Sequence, residues 1–159
     1  MEQSQCADTE QVIRRYADMV YRLAYSYARS RSDADDIFQE VFLRYVRKKP
    51  VFDSDEHCKA WLLRVTANCA KKHLANPFRQ RTQPLDDAIP FPEPAESALD
   101  DALRQLSPRY RAVVHLFYYV GCSTEEIARL LGRKPSTVRT QLTRARAELA
   151  RLLKGDHHV

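Results

Sequence analysis

Between Ser136 and Arg144 the chain holds Ser136, Thr137, Arg139, Thr140, Thr143 and Arg144, six side chains that form hydrogen bonds. Gathered on one helix face, such a set suits a DNA major groove. Arginine can bridge O6 and N7 of guanine, and hydroxyls can bond base edges or phosphates. Arg133, Lys134 and Arg146 flank the set. A second set, Arg64, Asn68, Lys71 and Lys72, recurs at helical spacing. An asparagine among bases suits nucleic acid, although a solvated charged face fits the same residues equally well. A third set, Asp36, Gln39, Glu40 and Leu43, places one apolar side chain among polar ones. Lone exposed leucines are usually ordinary surface. The alternative is an anchor whose neighbouring carboxylates complement a basic groove on a protein partner.

No enzyme chemistry competes with these sets. The chain has no Gly-rich phosphate loop, no clustered nucleophile and base, and no strong metal motif, so the expectation is a non-enzyme without cofactor. Cys58, Cys69 and His73, with His57 nearby, lack the paired spacing of structural zinc sites. With Cys6 and Cys122 the cysteines read as reduced thiols without a CxxC pair.

The elements that must position these residues are helices. Ser123 and Glu126 form a capping-box pattern, Ile127, Ala128 and Leu131 follow at helical spacing, and Gly132 ends the segment. Pro135 then fits the first turn of another helix. Val138, Leu142, Ala145, Leu149 and Leu152 form its apolar stripe, leaving the hydroxyls and guanidinium groups on the free side. The pattern from Ser123 to Leu153 is a helix-turn-helix. Two-helix turns are common, so that pattern alone also fits a solvated helix pair.

In the N-terminal half, Asp8 or Thr9 is expected to cap a first helix with Val12, Ile13, Tyr16, Val20, Leu23, Ala24 and Tyr27 inward. Ser32 with Asp35 signals a second helix start. At about 100° per residue, Ala34, Ile37, Phe38, Val41, Phe42 and Tyr45 gather towards the core, opposite Asp36, Gln39, Glu40, Leu43 and Arg47. After a loop from Pro50 to Glu56, a third helix turns Trp61, Leu62, Val65 and Cys69 inward. Five prolines between Asn76 and Pro94 mark an extended linker. Helix signals return at Glu96 with Leu99, Ala102, Leu103 and Leu106. Ser107 and Pro108 start a further helix, with Tyr110, Val113, Val114, Phe117 and Val120 inward and Gly121 at its end.

The chain of 159 residues accommodates one domain or two small ones, and 30% charged with 44% hydrophobic residues is a foldable composition. With only three glycines and no long alternating runs, the fold class is all-α. The net charge of +5 favours a polyanionic partner. Its distribution is more telling. Ten basic residues oppose three acids from Arg44 to Arg81, and ten oppose three from Ser107 to Gly155, while Pro84 to Leu103 holds six acids and no base. Neither a membrane span of ~20 apolar residues nor a signal peptide is visible, so the expected location is cytoplasmic.

Together, DADDIFQEVFLRYV, AWLLRVTANCAKKHL and ALRQLSPRYRAVVHLFYYVGCSTEEIARLLGRKPSTVRTQLTRARAEL resemble the bacterial RNA polymerase sigma factors of the extracytoplasmic-function (ECF) group, minimal members of the sigma-70 family. The resemblance covers nearly the whole chain. It implies two small helical domains, region 2 at 1–76 and region 4 at 96–159, joined by a flexible linker at 77–95. It implies a transcription initiation factor that binds core polymerase and recognises −35 and −10 promoter elements, with an anti-sigma factor as a further partner. Asp36, Gln39, Glu40 and Leu43 would meet the β′ clamp helices, and region 4 the β flap. Arg64, Asn68, Lys71 and Lys72 would lie at the −10 element; at the −35 element Ser136, Thr137, Arg139, Thr140 and Thr143 would be nearest the bases, and Arg133, Lys134, Arg144 and Arg146 would mostly hold phosphates and set the register. Two departures stand out: Arg133 occupies a usually apolar position, and the loop before the third helix carries the acidic run DSDEH. The runner-up is a stand-alone helix-turn-helix regulator with an N-terminal sensory or dimerisation domain.

Overall fold

In the computed structural model, the described residues are 2–28, 30–76 and 98–157, with side chains described over 9–28, 30–76 and 101–154. They form helices and no strands. The chain divides into two compact units, Met1–Asp87 and Ala88–Val159. The expected linker at 77–95 and Cys6 lie outside the residues whose side chains are described. Among the described residues, no helix is long and apolar enough to cross a membrane.

The first unit packs α1 (Glu2–Tyr27), α2 (Arg31–Lys48) and α3 (Asp55–Ala75) against one another. Val20, Leu23, Ala34, Ile37, Val41 and Leu62 are completely or nearly completely buried between them, as their helical spacing predicts. Burying each large aliphatic side chain contributes about 1.5–3 kcal/mol before conformational entropy is counted. Two helix starts differ from expectation. α1 runs from Glu2 instead of starting at Asp8 or Thr9, because the preceding Glu, Gln, Ser and Ala residues include no proline or glycine to stop it. α2 is capped by Ser30, whose hydroxyl accepts from the Asp33 amide, and not by Ser32.

A buried tie joins the far ends of α2 and α3: His73 Nε2 lies 2.9 Å from Asp33 Oδ1, both side chains almost covered. At the other end, Phe52 stacks near Tyr45 and meets the edges of Trp61 and His57, bracing the loop before α3. Ser54 caps α3 by accepting from the His57 amide. Trp61 is part of this aromatic cluster and half-buried, in keeping with a packing role.

The second unit contains α4 (Ala98–Gln105), α5 (Pro108–Val114), a π-helical turn (His115–Val120), α6 (Thr124–Leu131) and α7 (Pro135–His157). α4 is described from Ala98, and the expected start at Glu96 lies outside the described residues. Leu106, Val114 and Ala145 form a buried cluster covered by Leu103, Tyr110, Leu149 and Leu152, so α7 is the element the shorter helices assemble on. The π-turn corrects one inward stripe. Continuing the α-helical spacing from Val113 puts Phe117 and Val120 inside, yet Leu116 is the fully buried residue and those two are half-buried. A π-turn bonds five residues back instead of four, so the α-helical spacing does not carry through this segment. Tyr118 and Tyr119 face outward.

Candidate functional site

The turn before α7 is built as its sequence suggests. Ser123 Oγ accepts from the Glu126 amide at 3.1 Å, and Glu126 Oε1 accepts from the Ser123 amide at 3.2 Å. Gly132 takes the left-handed conformation, φ +66, which suits a residue without Cβ. Its amide closes α6 on the Ala128 carbonyl, and α7 starts at Pro135.

On α7, Val138, Leu142 and Ala145 are buried, and Ser136, Thr137, Arg139, Thr140, Thr143 and Arg144 are exposed. Ser136, Arg139, Thr140, Thr143 and Arg144 line a shallow, open depression. Lys134 is exposed just before the helix. The face therefore presents three hydroxyls and two guanidinium groups side by side, a surface that can follow a groove of edges and phosphates.

Two arginines of the expected set are engaged within the protein. Arg133 is half-buried, and its Nη1–H donates to Gln141 Oε1 at 2.8 Å. Gln141 is itself buried, so the pair satisfies a carboxamide that would otherwise lie unpaired. Arg146 Nε–H donates to the Tyr118 hydroxyl, and its guanidinium lies 5.5 Å from the centroids of Phe117 and Tyr118. The sequence gives no local signal for either contact, since the partners are eight and 28 positions away.

In the first unit, Arg64, Asn68, Lys71 and Lys72 are all exposed on α3 and one helical turn or less apart. The loop leading to them ends at Asp53 and Ser54, two residues before the expected Glu56, and Asp55 and Glu56 form the first turn of α3; all four are exposed, and Asp55 Oδ2 pairs with Arg15 Nη1 at 3.1 Å. Val51 on that loop is 88% exposed.

On α2, Asp36 and Glu40 are half-buried and Gln39 is exposed, with Leu43 46% exposed beside them. Val46, 48% exposed and one turn on, extends the apolar part of this face and was not among the predicted residues. A helical wheel places it about 60° from Leu43 on the side of Gln39, so the spacing could have found it. Glu40 Oε1 accepts from Arg44 Nε–H at 3.1 Å, which leaves the face less acidic than its sequence suggests.

Cys58, Cys69 and Cys122 are buried free thiols, and burial pushes the Cys58 and Cys69 thiols up. A thiol held protonated is a poor metal ligand or nucleophile. Among the described residues, no three His, Cys, Asp or Glu side chains gather as a metal site would require. Burial, with a hydrogen bond to Asp35, pushes the Tyr21 hydroxyl up to about 12, so Tyr21 stays neutral and ties α1 to the start of α2.

Comparison with known proteins covers both units. The family model for Sigma-70 region 2 matches residues 12–81, and that for Sigma-70, region 4 matches residues 96–149. The chain is 34% identical over 149 residues to ECF RNA polymerase sigma factor SigM of Mycobacterium tuberculosis, covering 91% of this chain and 76% of that one. It is 30% identical over 131 residues to RNA polymerase sigma factor SigV of Bacillus subtilis, covering 79% and 78%. Among solved structures, CnrH in complex with the cytosolic domain of CnrY matches with a TM-score of 0.66 and 27% identity over 93% of this chain and 88% of that one. The sigma factor RpoE from Bartonella quintana, solved with the anti-sigma factor NepR, shares the fold with a TM-score of 0.77 at 24% identity, covering 92% and 97%.

Proposed function

Because the chain belongs to the sigma-70 family, in its ECF group of RNA polymerase sigma factors, we propose that three exposed faces divide the work of promoter-directed initiation. The chain is a transcription initiation factor that directs core polymerase to promoters. Residues 1–76 form the polymerase-binding and −10 module, 96–159 the −35 module, and 77–95 their tether. Asp36, Gln39, Glu40 and Leu43, with Val46 added, contact the clamp helices of the polymerase β′ subunit. Arg64, Asn68, Lys71 and Lys72 contact the opened −10 strand. Lys134, Ser136, Thr137, Arg139, Thr140, Thr143 and Arg144 face the −35 duplex. Arg133 and Arg146 reach it only as far as their bonds to Gln141 and Tyr118 allow.

The observation that carries this division is the exposed Leu43 and Val46 pair on α2. A DNA-binding surface has little use for two adjacent aliphatic side chains, whereas a protein interface uses them as its desolvated centre. The stand-alone regulator leaves this face without a role and is not favoured.

Bond making belongs to the polymerase; this chain supplies recognition and strand capture. An anti-sigma protein that covers these faces is the expected antagonist, as a partner of that kind occupies the RpoE structure. Location in the cytoplasm follows from the site of transcription. In vitro transcription with purified core polymerase tests the reading. The expected result is run-off RNA from a subset of promoters of the source genome, and failure both to bind core and to start any transcript overturns it.

A further inference from the structure

Thr140 and Thr143 are exposed on α7, yet each hydroxyl proton is already committed. Thr140 Oγ1 donates to the Ser136 carbonyl at 3.0 Å, and Thr143 Oγ1 donates to the Arg139 carbonyl at 3.0 Å. A hydroxyl has one proton and two lone pairs. In this arrangement, common for threonine within helices, the proton turns back along the helix. What remains outward is a pair of lone pairs and the γ-methyl.

That restricts the base edges these residues can meet. Guanine N7 and O6, adenine N7 and thymine O4 all require a donor. Adenine N6 and cytosine N4 supply a donor to a waiting lone pair, and thymine alone adds an apolar methyl. An A·T pair therefore answers both features of a back-bonded threonine. Arg139 and Arg144, next to them around the same depression, have the reverse character, since a guanidinium only donates. Donors favour guanine O6 and N7.

Resting on the assignment of α7 to the promoter duplex, we infer that Thr140 and Thr143 are specificity-determining residues that select A·T pairs by accepting from adenine N6–H and packing the γ-methyl on the thymine methyl, while Arg139 and Arg144 select guanine alongside. Arginines alone would give a reader of guanine with strong salt dependence. The two threonines add selectivity without charge.

The test uses the full chain reconstituted with core polymerase, and a duplex selected from random sequence by that holoenzyme. Each −35 thymine is replaced in turn by uracil, which lacks the methyl, and each adenine by purine, which lacks the N6 amino group. Affinity should fall about four-fold at the pairs facing Thr140 and Thr143, the size of one methyl-sized apolar contact. Thr143→Ser should remove the response to uracil while keeping the response to purine. Thr143→Val should do the opposite. A holoenzyme that selects a specific −35 sequence but responds to neither analogue overturns the inference. One that selects no −35 sequence at all overturns the assignment of α7 itself.

Discussion

The exposed bases of α3 and those around α7 are held in different ways. Arg64, Asn68 and Lys72 extend from α3 without a side-chain hydrogen bond to a described residue, carried by a helix whose opposite side fills the core of the first unit. Around α7 four polar side chains are bonded before any ligand arrives: Thr140 and Thr143 to their own helix, Arg133 to Gln141, and Arg146 to Tyr118. A surface that grips a flexible single strand gains from side chains free to follow it. A surface that reads a rigid duplex gains from groups fixed beforehand, because less ordering remains to be done on binding. The difference also shows that counting arginines overstates the charge a helix-turn-helix offers to phosphates.

The comparison can be broken most severely in the core. Leu62→Ala removes a fully buried side chain behind the α3 face and should lower stability by about 2–5 kcal/mol in chemical denaturation. A loss below about 1 kcal/mol would show that the α3 face does not depend on a closely packed core. Leu43→Arg probes the proposed polymerase face, where the residue is exposed and its replacement leaves the core intact. Core-polymerase affinity should fall by about 2 kcal/mol or more while the melting temperature stays unchanged. Unchanged affinity would remove Leu43 from the interface.

Arg146 and Arg144 sharpen the contrast between tied and free arginines. Arg146→Ala should cost about 1 kcal/mol of stability through the lost hydrogen bond and ring contacts. Arg144→Ala should leave stability unchanged while relaxing the preference for guanine at the base pair it faces in promoter binding. Loss of stability in Arg144→Ala and not in Arg146→Ala would reverse the distinction. Ser123→Ala removes one half of the capping box at the start of α6 and should likewise cost ~1 kcal/mol in thermal unfolding.

Much of the fold was legible because its signals are local. Val20, Leu23, Ile37, Val41, Leu62, Val138 and Leu142 repeat at helical spacing and are buried where that spacing puts them. The capping box and Gly132 located the turn for the same reason. Ser32, three positions before Asp35, was the expected start of α2, yet Ser30, at the same spacing from Asp33, is the residue that caps it. The exposed faces were legible as faces, since each is the remainder of an amphipathic pattern. The bonds that alter them were not, because Arg133 to Gln141 and Arg146 to Tyr118 depend on how helices meet. The π-turn was hidden by the same limit: nothing in HLFYYV distinguishes it from an ordinary helical turn.

That turn bears on how this chain should be compared with others. A π-turn contains one residue more than the α-turn it replaces, so His115–Val120 is equivalent to a single-residue insertion in an otherwise continuous helix. The extra residue changes the heading of everything after it by about 100° of helix rotation. Gly121, at φ +87, then redirects the chain towards the Ser123 cap. A relative lacking the extra residue aligns correctly only if the gap falls inside this segment. Placed beyond α7, the gap would pair every exposed position of that helix with its neighbour, exchanging threonines for arginines in any inferred recognition code.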